Sequence, residues 1–414
     1  MHNLHPMLKS TPFPEALSIT DYGYDLPDEK IARYPLEERE GSKLLVWKAG
    51  SITESHYTNL ASFLPINSLL VFNNSRVVEA RILFQKLTGG QIEIFCLEPH
   101  RTYPNLSVAM AQTNSVLWTC LIGGASKWKR GQVLEKQIGE TRLAARFIEK
   151  RRDDFIVEFS WSPSDLPFAA VLNLLGAIPL PPYLKRNAEL SDAERYQTVY
   201  ARESGSVAAP TAGLHFSDKL LQSLSVIGID SLYLTLHVGA ATFLPVKSEK
   251  LSEHHMHEEC IEVDAAVVEN LISSLHKPVI AVGTTSLRTL ETLYWLGLQV
   301  SRNKNITASE LSLDQGFPYN NTAELTAKEA LQFLLEWIQQ QPEKKLITKT
   351  SLFIVPGYSF KMAYGLITNF HQPHSTLLLL VAAFIGPAWK SIYSWALEHD
   401  YRFLSYGDGC LFLP

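Results

Sequence analysis

Short apolar runs recur along the second half of this chain, and each breaks into a polar cluster. Val279-Ile-Ala-Val282 reads as a buried strand, Gly283-Thr-Thr-Ser286 as a tight turn, and Leu287 to Leu296 carries helical spacing. Leu366-Ile-Thr368, Asn369 to Ser375, then Thr376 to Ile385 repeats this strand–loop–helix plan. Ser68-Leu-Leu-Val-Phe72 is another buried strand, ending in the polar turn Asn73-Asn-Ser-Arg76. Such alternation predicts a largely parallel sheet with helices packed outside.

The texture differs from about Arg81 to Ser164. Gln91-Ile-Glu-Ile-Phe95, Leu117-Trp-Thr-Cys-Leu-Ile122 and Phe155-Ile-Val-Glu-Phe159 read as strands, separated by Gly89-Gly90, Gly123-Gly124 and Gly131. Short strands with Gly turns predict a small β-barrel or sandwich. Ser162-Pro-Ser-Asp-Leu-Pro167 reads as the exit linker, residues 1–20 as a loose arm, and 303–325 as a polar surface excursion. Pro27 stands just ahead of a short helix-like run.

Composition narrows the class. The chain has 414 residues, 46% apolar and 19% charged, which suits a large core and argues against wholesale disorder. A formal charge of −5 argues against coating nucleic acid by bulk electrostatics, while leaving room for a local basic patch. Cys96, Cys120, Cys260 and Cys410 lie far apart with no C-x-x-C pair, so a zinc ribbon or disulfide framework is not expected. Met1 to Thr20 has no apolar signal-peptide core, and Leu377 to Ile385 is too short to span a bilayer. The expectation is a soluble cytoplasmic protein that does not enter a membrane.

The chemistry-bearing clusters sit where strands end. Val207-Ala-Ala-Pro-Thr-Ala-Gly-Leu-His-Phe216, Leu234-Thr-Leu-His-Val-Gly-Ala-Ala-Thr-Phe243 and Glu253-His-His-Met-His-Glu-Glu259 mix Thr, His, Gly and Glu after apolar runs. Polar groups at strand ends are how α/β enzymes build sites. Gly283-Thr-Thr-Ser-Leu-Arg288 offers hydroxyls and free N–H groups at a helix start, suited to a carboxylate, phosphate or ribose. An ordinary N-cap by Thr285 or Ser286 accounts for the same residues. Thr368-Asn-Phe-His-Gln-Pro-His-Ser375 is dense in His, Asn and hydroxyls, as a functional loop or a well-bonded connection would be.

His254, His255 and His257 beside Glu258 and Glu259 have partial metal-site spacing, but H-E-x-x-H is missing and no third ligand is evident. Hydrogen bonding or proton transfer by a histidine is the favoured use, with no metal expected. Lys127-Trp-Lys-Arg130 and Lys150-Arg-Arg152 suit a phosphate backbone, though solvated surface is the favoured reading. Tyr183 and Lys185 in a Pro-rich segment face either a substrate or a packed connection. Asp408 at a Gly turn either binds a donor-rich ligand or caps a helix.

Together these segments resemble the S-adenosylmethionine:tRNA ribosyltransferase-isomerases of queuosine biosynthesis. The resemblance runs from Tyr24-Asp-Leu-Pro27 to Ser405-Tyr-Gly-Asp408. Ala208 to Phe216, Leu236-His-Val-Gly239, Met256-His-Glu-Glu259, Gly283 to Ser286, Pro356-Gly-Tyr358 and Thr368-Asn-Phe-His371 carry it. It implies an α/β fold with a mostly parallel or mixed, barrel-like sheet. Residues 1–80 and 165–414 would form this discontinuous catalytic domain, interrupted by a β-barrel at 81–164.

The resemblance also implies a reaction. The ribosyl part of S-adenosylmethionine moves to 7-aminomethyl-7-deazaguanine at the tRNA wobble position, giving epoxyqueuosine and releasing adenine and methionine. S-adenosylmethionine is then a consumed co-substrate, and no cofactor is expected. The partner is a tRNA anticodon stem-loop. The sulfonium acidifies the neighbouring 5′ carbon, adenine departure needs a proton donor, and the amine must attack neutral. Such transfers favour histidine. On this basis His215, His237, His257 and His371 line the pocket as acid or base candidates. Thr211, Thr284, Thr285, Ser286, Asn369 and Arg76 bind substrate; Arg288 pairs with the methionine carboxylate or covers its helix; Asp408 reads the deazaguanine edge.

The chain departs from the family pattern at Asn74 (usually Asp), Ala241 (usually Gly), Ala363-Tyr364 (usually Val-Asp) and Gln372-Pro373 (usually Leu-Pro). These changes keep two alternatives open: a paralogue using another acceptor, and a non-catalytic RNA-binding relative.

Overall fold

A computed structural model describes residues 13–14, 17–86, 89–129, 131–152, 154–239, 246 and 248–414. In chain order the strands are β1 (Lys43–Lys48), β2 (Ser51–His56), β3 (Leu69–Asn73), β4 (Ser75–Val77), β5 (Arg81–Gln85) and β6 (Gln91–Pro99). They continue with β7 (Ser115–Gly123), β8 (Val133–Ile138), β9 (Thr141–Lys150), β10 (Phe155–Ser162), β11 (Glu203–Ser206) and β12 (Asp230–His237). The last are β13 (Glu259–Asp264), β14 (Val279–Val282), β15 (Lys345–Thr350), β16 (Gly365–Asn369) and β17 (Gly409–Leu413).

Nine strands form one sheet in the order β15-β13-β12-β3-β14-β16-β17-β1-β2. The sheet is mixed. Strands β12, β3, β14 and β16 run parallel as neighbours, and β17 pairs parallel with β1. The pairs β15–β13, β13–β12, β16–β17 and β1–β2 are antiparallel. The parallel prediction holds for the central βα units, because each crossover helix returns the chain to the same end of the sheet. Every residue of β3, β14, β16 and β17 is buried, as expected for strands covered on both faces.

The long helix spans Thr284–Arg302, so Thr284, Thr285 and Ser286 lie inside it. Its N-cap is Gly283, at φ 95, without a side-chain cap. Neither Thr285 nor Ser286 caps, because the backbone turns at glycine: Leu287 N–H bonds the Gly283 carbonyl, and Ser286 Oγ bonds back to Val282 O at 2.8 Å. Helix Thr376–Ile385 lies where the strand–loop–helix plan put it, with Ser375 Oγ accepting from Leu378 N.

Residues 303–325 are a surface excursion only at their start, where 303–310 are mostly exposed. Leu311, Leu313 and Tyr319 are buried, Leu313 bridges to Thr350 at the end of β15, and Tyr319 OH donates to Phe353 O at 2.7 Å. Their apolar positions follow neither the strand nor the helix period, so the pattern hid them. The part of the N-terminal arm that is described is anchored too. Ile19 and Tyr22 are buried, and Ile19 N–H bonds Glu249 O at 3.1 Å.

A second sheet, β5-β6-β7-β10-β9-β8, is antiparallel throughout and curls until β5 approaches β8, a nearly closed barrel. Alternate residues such as Ile82, Phe84, Ile92, Ile94 and Cys96 point into a core of its own. The Phe168–Leu175 helix joins that core through Phe168, which packs on Trp118, Phe159 and Trp161. Among the described residues no single helix is long and apolar enough to cross a membrane.

Candidate active site at the carboxyl edge of the large sheet

The topology brings most of the polar clusters to one edge. Strands β12, β3, β14 and β16 all end there, at His237, Asn73, Val282 and Asn369. Their antiparallel neighbours begin there, with Cys260 opposite His237 and Gly409 opposite Asn369. Ligands of open α/β sheets bind at this edge.

His215 and Asn369 meet at its centre. His215 ends the short turn Thr211–His215 and is 3% exposed. Asn369 Nδ2 donates to His215 Nε2 at 3.0 Å and to Leu404 O at 3.3 Å. The imidazole stacks on Tyr57 at 4.4 Å between centroids. Burial first, then the charges of Arg402 and Arg39, push His215 down to about 3, so it is neutral near pH 7. Gly213 lets the turn pass Tyr200: a Cβ there would sit 1.9 Å from the Tyr200 hydroxyl. Thr211 opens the turn, half-buried.

His371 lies two residues beyond Asn369. It pairs through Nε2 with Thr368 Oγ1 at 2.8 Å, and burial pushes it down to about 3. Its backbone N–H donates to Tyr393 OH, and its carbonyl accepts from Tyr24 OH.

His237 ends β12, and its Nε2 lies 3.2 Å from Glu262 Oε1. Lys345 Nζ holds the other Glu262 oxygen at 2.8 Å. His237 first, with Lys345, draws the Glu262 carboxyl down to about 2 against the effect of burial. A carboxylate only accepts, so Nε2 carries a proton. Nδ1 is buried without a hydrogen bond, facing Gly205: a Cβ there would sit 2.9 Å away.

Thr284, Thr285 and Ser286 are buried in the first turn of the long helix, close to the His215 turn, since a Cβ on Gly283 would lie 3.6 Å from Ala212. The N–H groups of that turn lack side-chain caps. Arg288, one turn further, forms a buried ion pair with Glu259 and bonds Leu352 O at 3.2 Å. Its Nη2 stays buried without a hydrogen bond. Arg288 therefore has a protein carboxylate partner already.

Three of the expected site residues lie differently. Asp408 is at this edge but is fully engaged: Oδ1 accepts from Lys43 N at 2.9 Å and Oδ2 from Arg402 N at 2.8 Å. A buried carboxylate bonded to two backbone N–H groups and to Arg402 ties strand ends together; it does not present two acceptors to a base. Arg76 is exposed on β4, which pairs with β11 apart from the large sheet. His257 is exposed on the segment ahead of β13, outside the buried cluster. Among the described residues, no group of three or more His, Cys, Asp or Glu side chains is arranged to hold a metal ion.

Asn74 and Ala363 are accommodated by their surroundings. Asn74 Oδ1 accepts from Thr235 Oγ1 at 2.7 Å, a bond a carboxylate oxygen would also make. Ala363 lies along the buried Glu291 carboxylate, which collects Tyr358 OH and the Lys361, Met362 and Ala363 N–H groups. Tyr364 is exposed. Ala241 lies outside the described residues, as does Arg130 of the first basic run.

Sequence reasoning passed over Glu262, Tyr57 and Leu404. Glu262 alternates with buried Ile261 and Val263 on β13 and reads as an ordinary outward strand residue. Only the tertiary pairing of β12 with β13 brings it to His237.

A family model described as a queuosine biosynthesis protein matches residues 19–412. The chain is 36% identical over 408 residues to the S-adenosylmethionine:tRNA ribosyltransferase-isomerase of Thermosynechococcus vestitus, covering 97% of this chain and 98% of that one. It is 37% identical over 406 residues to the protein of the same name from Halothermothrix orenii, covering 96% and 100%. A solved S-adenosylmethionine tRNA ribosyltransferase from Thermotoga maritima is 26% identical, with 95% and 100% covered and a TM-score of 0.45. The match takes in both sheets and every cluster at the carboxyl edge, and the chain belongs to the queuosine biosynthesis protein family.

Proposed function

We propose that this chain is an S-adenosylmethionine-dependent tRNA ribosyltransferase-isomerase. It moves the ribosyl part of S-adenosylmethionine onto 7-aminomethyl-7-deazaguanine at the wobble position of a tRNA anticodon loop. Epoxyqueuosine forms, and adenine and methionine leave; S-adenosylmethionine is consumed and no cofactor is needed. The observation that carries this reading is end-to-end similarity to relatives bearing that name.

In this reading the histidines divide the work. His215 and His371, held neutral down to about pH 3, cannot store a proton near pH 7. They serve as fixed hydrogen-bonding groups. His237 is the proton acceptor in this reading: the Glu262 carboxylate orients its ring and stabilises the imidazolium that forms. The uncapped N–H groups at Thr284–Ser286 favour an anionic or hydroxyl-bearing part of the substrate. The single-stranded anticodon loop can splay its base toward this edge.

The test is adenine release from S-adenosylmethionine, with and without tRNA carrying 7-aminomethyl-7-deazaguanine. Release that requires this tRNA, with a matching mass gain on it, is the expected result. Release with any other acceptor, or none at all from folded protein, defeats the reading. His237→Ala should lower the rate by roughly 10²- to 10⁴-fold.

A further inference from the structure

Beside His215 lies a cleft bordered by Pro35, Ser42, Arg39, Arg195, Ser405 and Tyr406. Arg39 comes from the turn Arg39–Gly41 and Arg195 from the end of a short helix, Asp192–Arg195. Their guanidinium heads are fixed. Arg39 donates to Leu214 O and Glu194 O, both at 3.1 Å; Arg195 donates to Glu37 O at 2.9 Å and Leu36 O at 2.6 Å.

All four of those acceptors are neutral carbonyls. Among the described residues no carboxylate lies within ion-pair distance of either guanidinium, although Glu38 borders the cleft and Glu194 acts on Arg39 from further off. Burial, then the Arg195 charge, hold Arg39 below its usual value. The Nε of Arg195 is buried with no acceptor. Each guanidinium has five N–H donors, of which the carbonyls use only part. Ser42, itself buried, lines the same wall. Two fixed cations without a counter-charge are costly unless an anion joins them. A guanidinium fork matches an oxyanion in shape as well as charge.

We propose that this cleft is an oxyanion subsite, in which Arg39 and Arg195 seat a phosphate or carboxylate group of a substrate against His215. Under the function proposed above, and resting on it for this point alone, the group is an anticodon-loop phosphodiester or the methionine carboxylate of S-adenosylmethionine. Binding there places substrate beside the ring that Asn369 holds, so the subsite would position rather than react.

The experiment has two arms on the full-length protein. In the first, sodium sulfate is the probe, titrated calorimetrically at constant ionic strength. Arg39→Gln and Arg195→Gln should each weaken sulfate by roughly 10- to 100-fold. Ser42→Asp, which leaves both arginine clips intact, should do the same by placing a carboxylate in the cleft. Arg33→Gln, at an exposed arginine outside it, should change nothing. In the second arm, KM values for adenine release are measured against salt. A phosphodiester occupant raises KM for tRNA in Arg39→Gln and lowers the salt slope by about one. A carboxylate occupant raises KM for S-adenosylmethionine and leaves the slope alone. Equal sulfate affinity in wild type and folded Ser42→Asp, with both KM values unmoved, overturns the subsite. Failure of the wild type to release adenine overturns the function instead, and the sulfate arm still decides the subsite.

Discussion

Asn369 fixes both the position and the tautomer of His215. Its amide donates to His215 Nε2 at 3.0 Å and to the Leu404 carbonyl at 3.3 Å; turned over, its oxygen would face the Leu404 carbonyl, so that bond sets the amide's orientation. His215 Nε2 must then be the acceptor and Nδ1 the protonated nitrogen. Asn369 Oδ1 is left buried without a partner.

Asn369→Asp replaces that donor with a carboxylate facing a lone pair. The expected result is a loss of about 10²-fold in adenine release, since the ring must protonate or move. Nitrogen NMR of labelled histidine should show His215 changing from the neutral Nδ1–H form. A variant that keeps both the tautomer and the rate would show that Asn369 does not position the ring.

His215 and His371 also set a pH dependence of stability. Both are held near 3 when folded, below the ordinary value of about 6.5, chiefly by burial. Between these values the unfolded chain binds more protons, so stability falls as pH falls. Their contribution is complete above about pH 6.5 and is lost progressively toward pH 3, at roughly 1.4 kcal/mol per pH unit for each. Urea midpoints at pH 7, 6 and 5 should drop accordingly. His371→Gln should flatten that slope; an unchanged slope would mean that His371 charges without cost in the fold.

Arg288 and Glu259 are both buried and joined at the same edge. Arg288→Met should destabilise by about 3–5 kcal/mol, because it removes the cation that faces the buried Glu259 carboxylate. Arg288→Met combined with Glu259→Leu should cost less than the sum of the two single changes. Simple additivity in urea denaturation would indicate that the pair is not coupled.

Gly213 sits where Tyr200 leaves no room for a side chain. Gly213→Ala should displace the Leu214–His215 turn and reduce adenine release by about 10²-fold. Tyr200→Phe in the same chain removes the nearest clashing atom and should recover part of the loss. No recovery would place the damage in the turn's own backbone.

How much was legible beforehand follows from what each signal depends on. Strands β3, β14 and β16 and the Thr376–Ile385 helix declare themselves because deep burial demands unbroken apolar runs. His215, His237, Asn369 and His371 were visible because polar residues crowd the ends of those runs. What the sequence by itself determined is therefore local: which segments are strands or helices, and which polar groups stand at their ends. Sheet order, the mixed strand directions, the buried path of Leu311 to Tyr319, and the partners of each side chain arise from contacts between segments far apart in the chain. Asp408 and Arg288 show the difference. Both are polar residues at strand or helix ends, as ligand-binding groups would be, yet backbone N–H groups in one case and Glu259 in the other already hold them. A charge brought into the core must find its partner there, and only the tertiary structure decides whether that partner is substrate or protein.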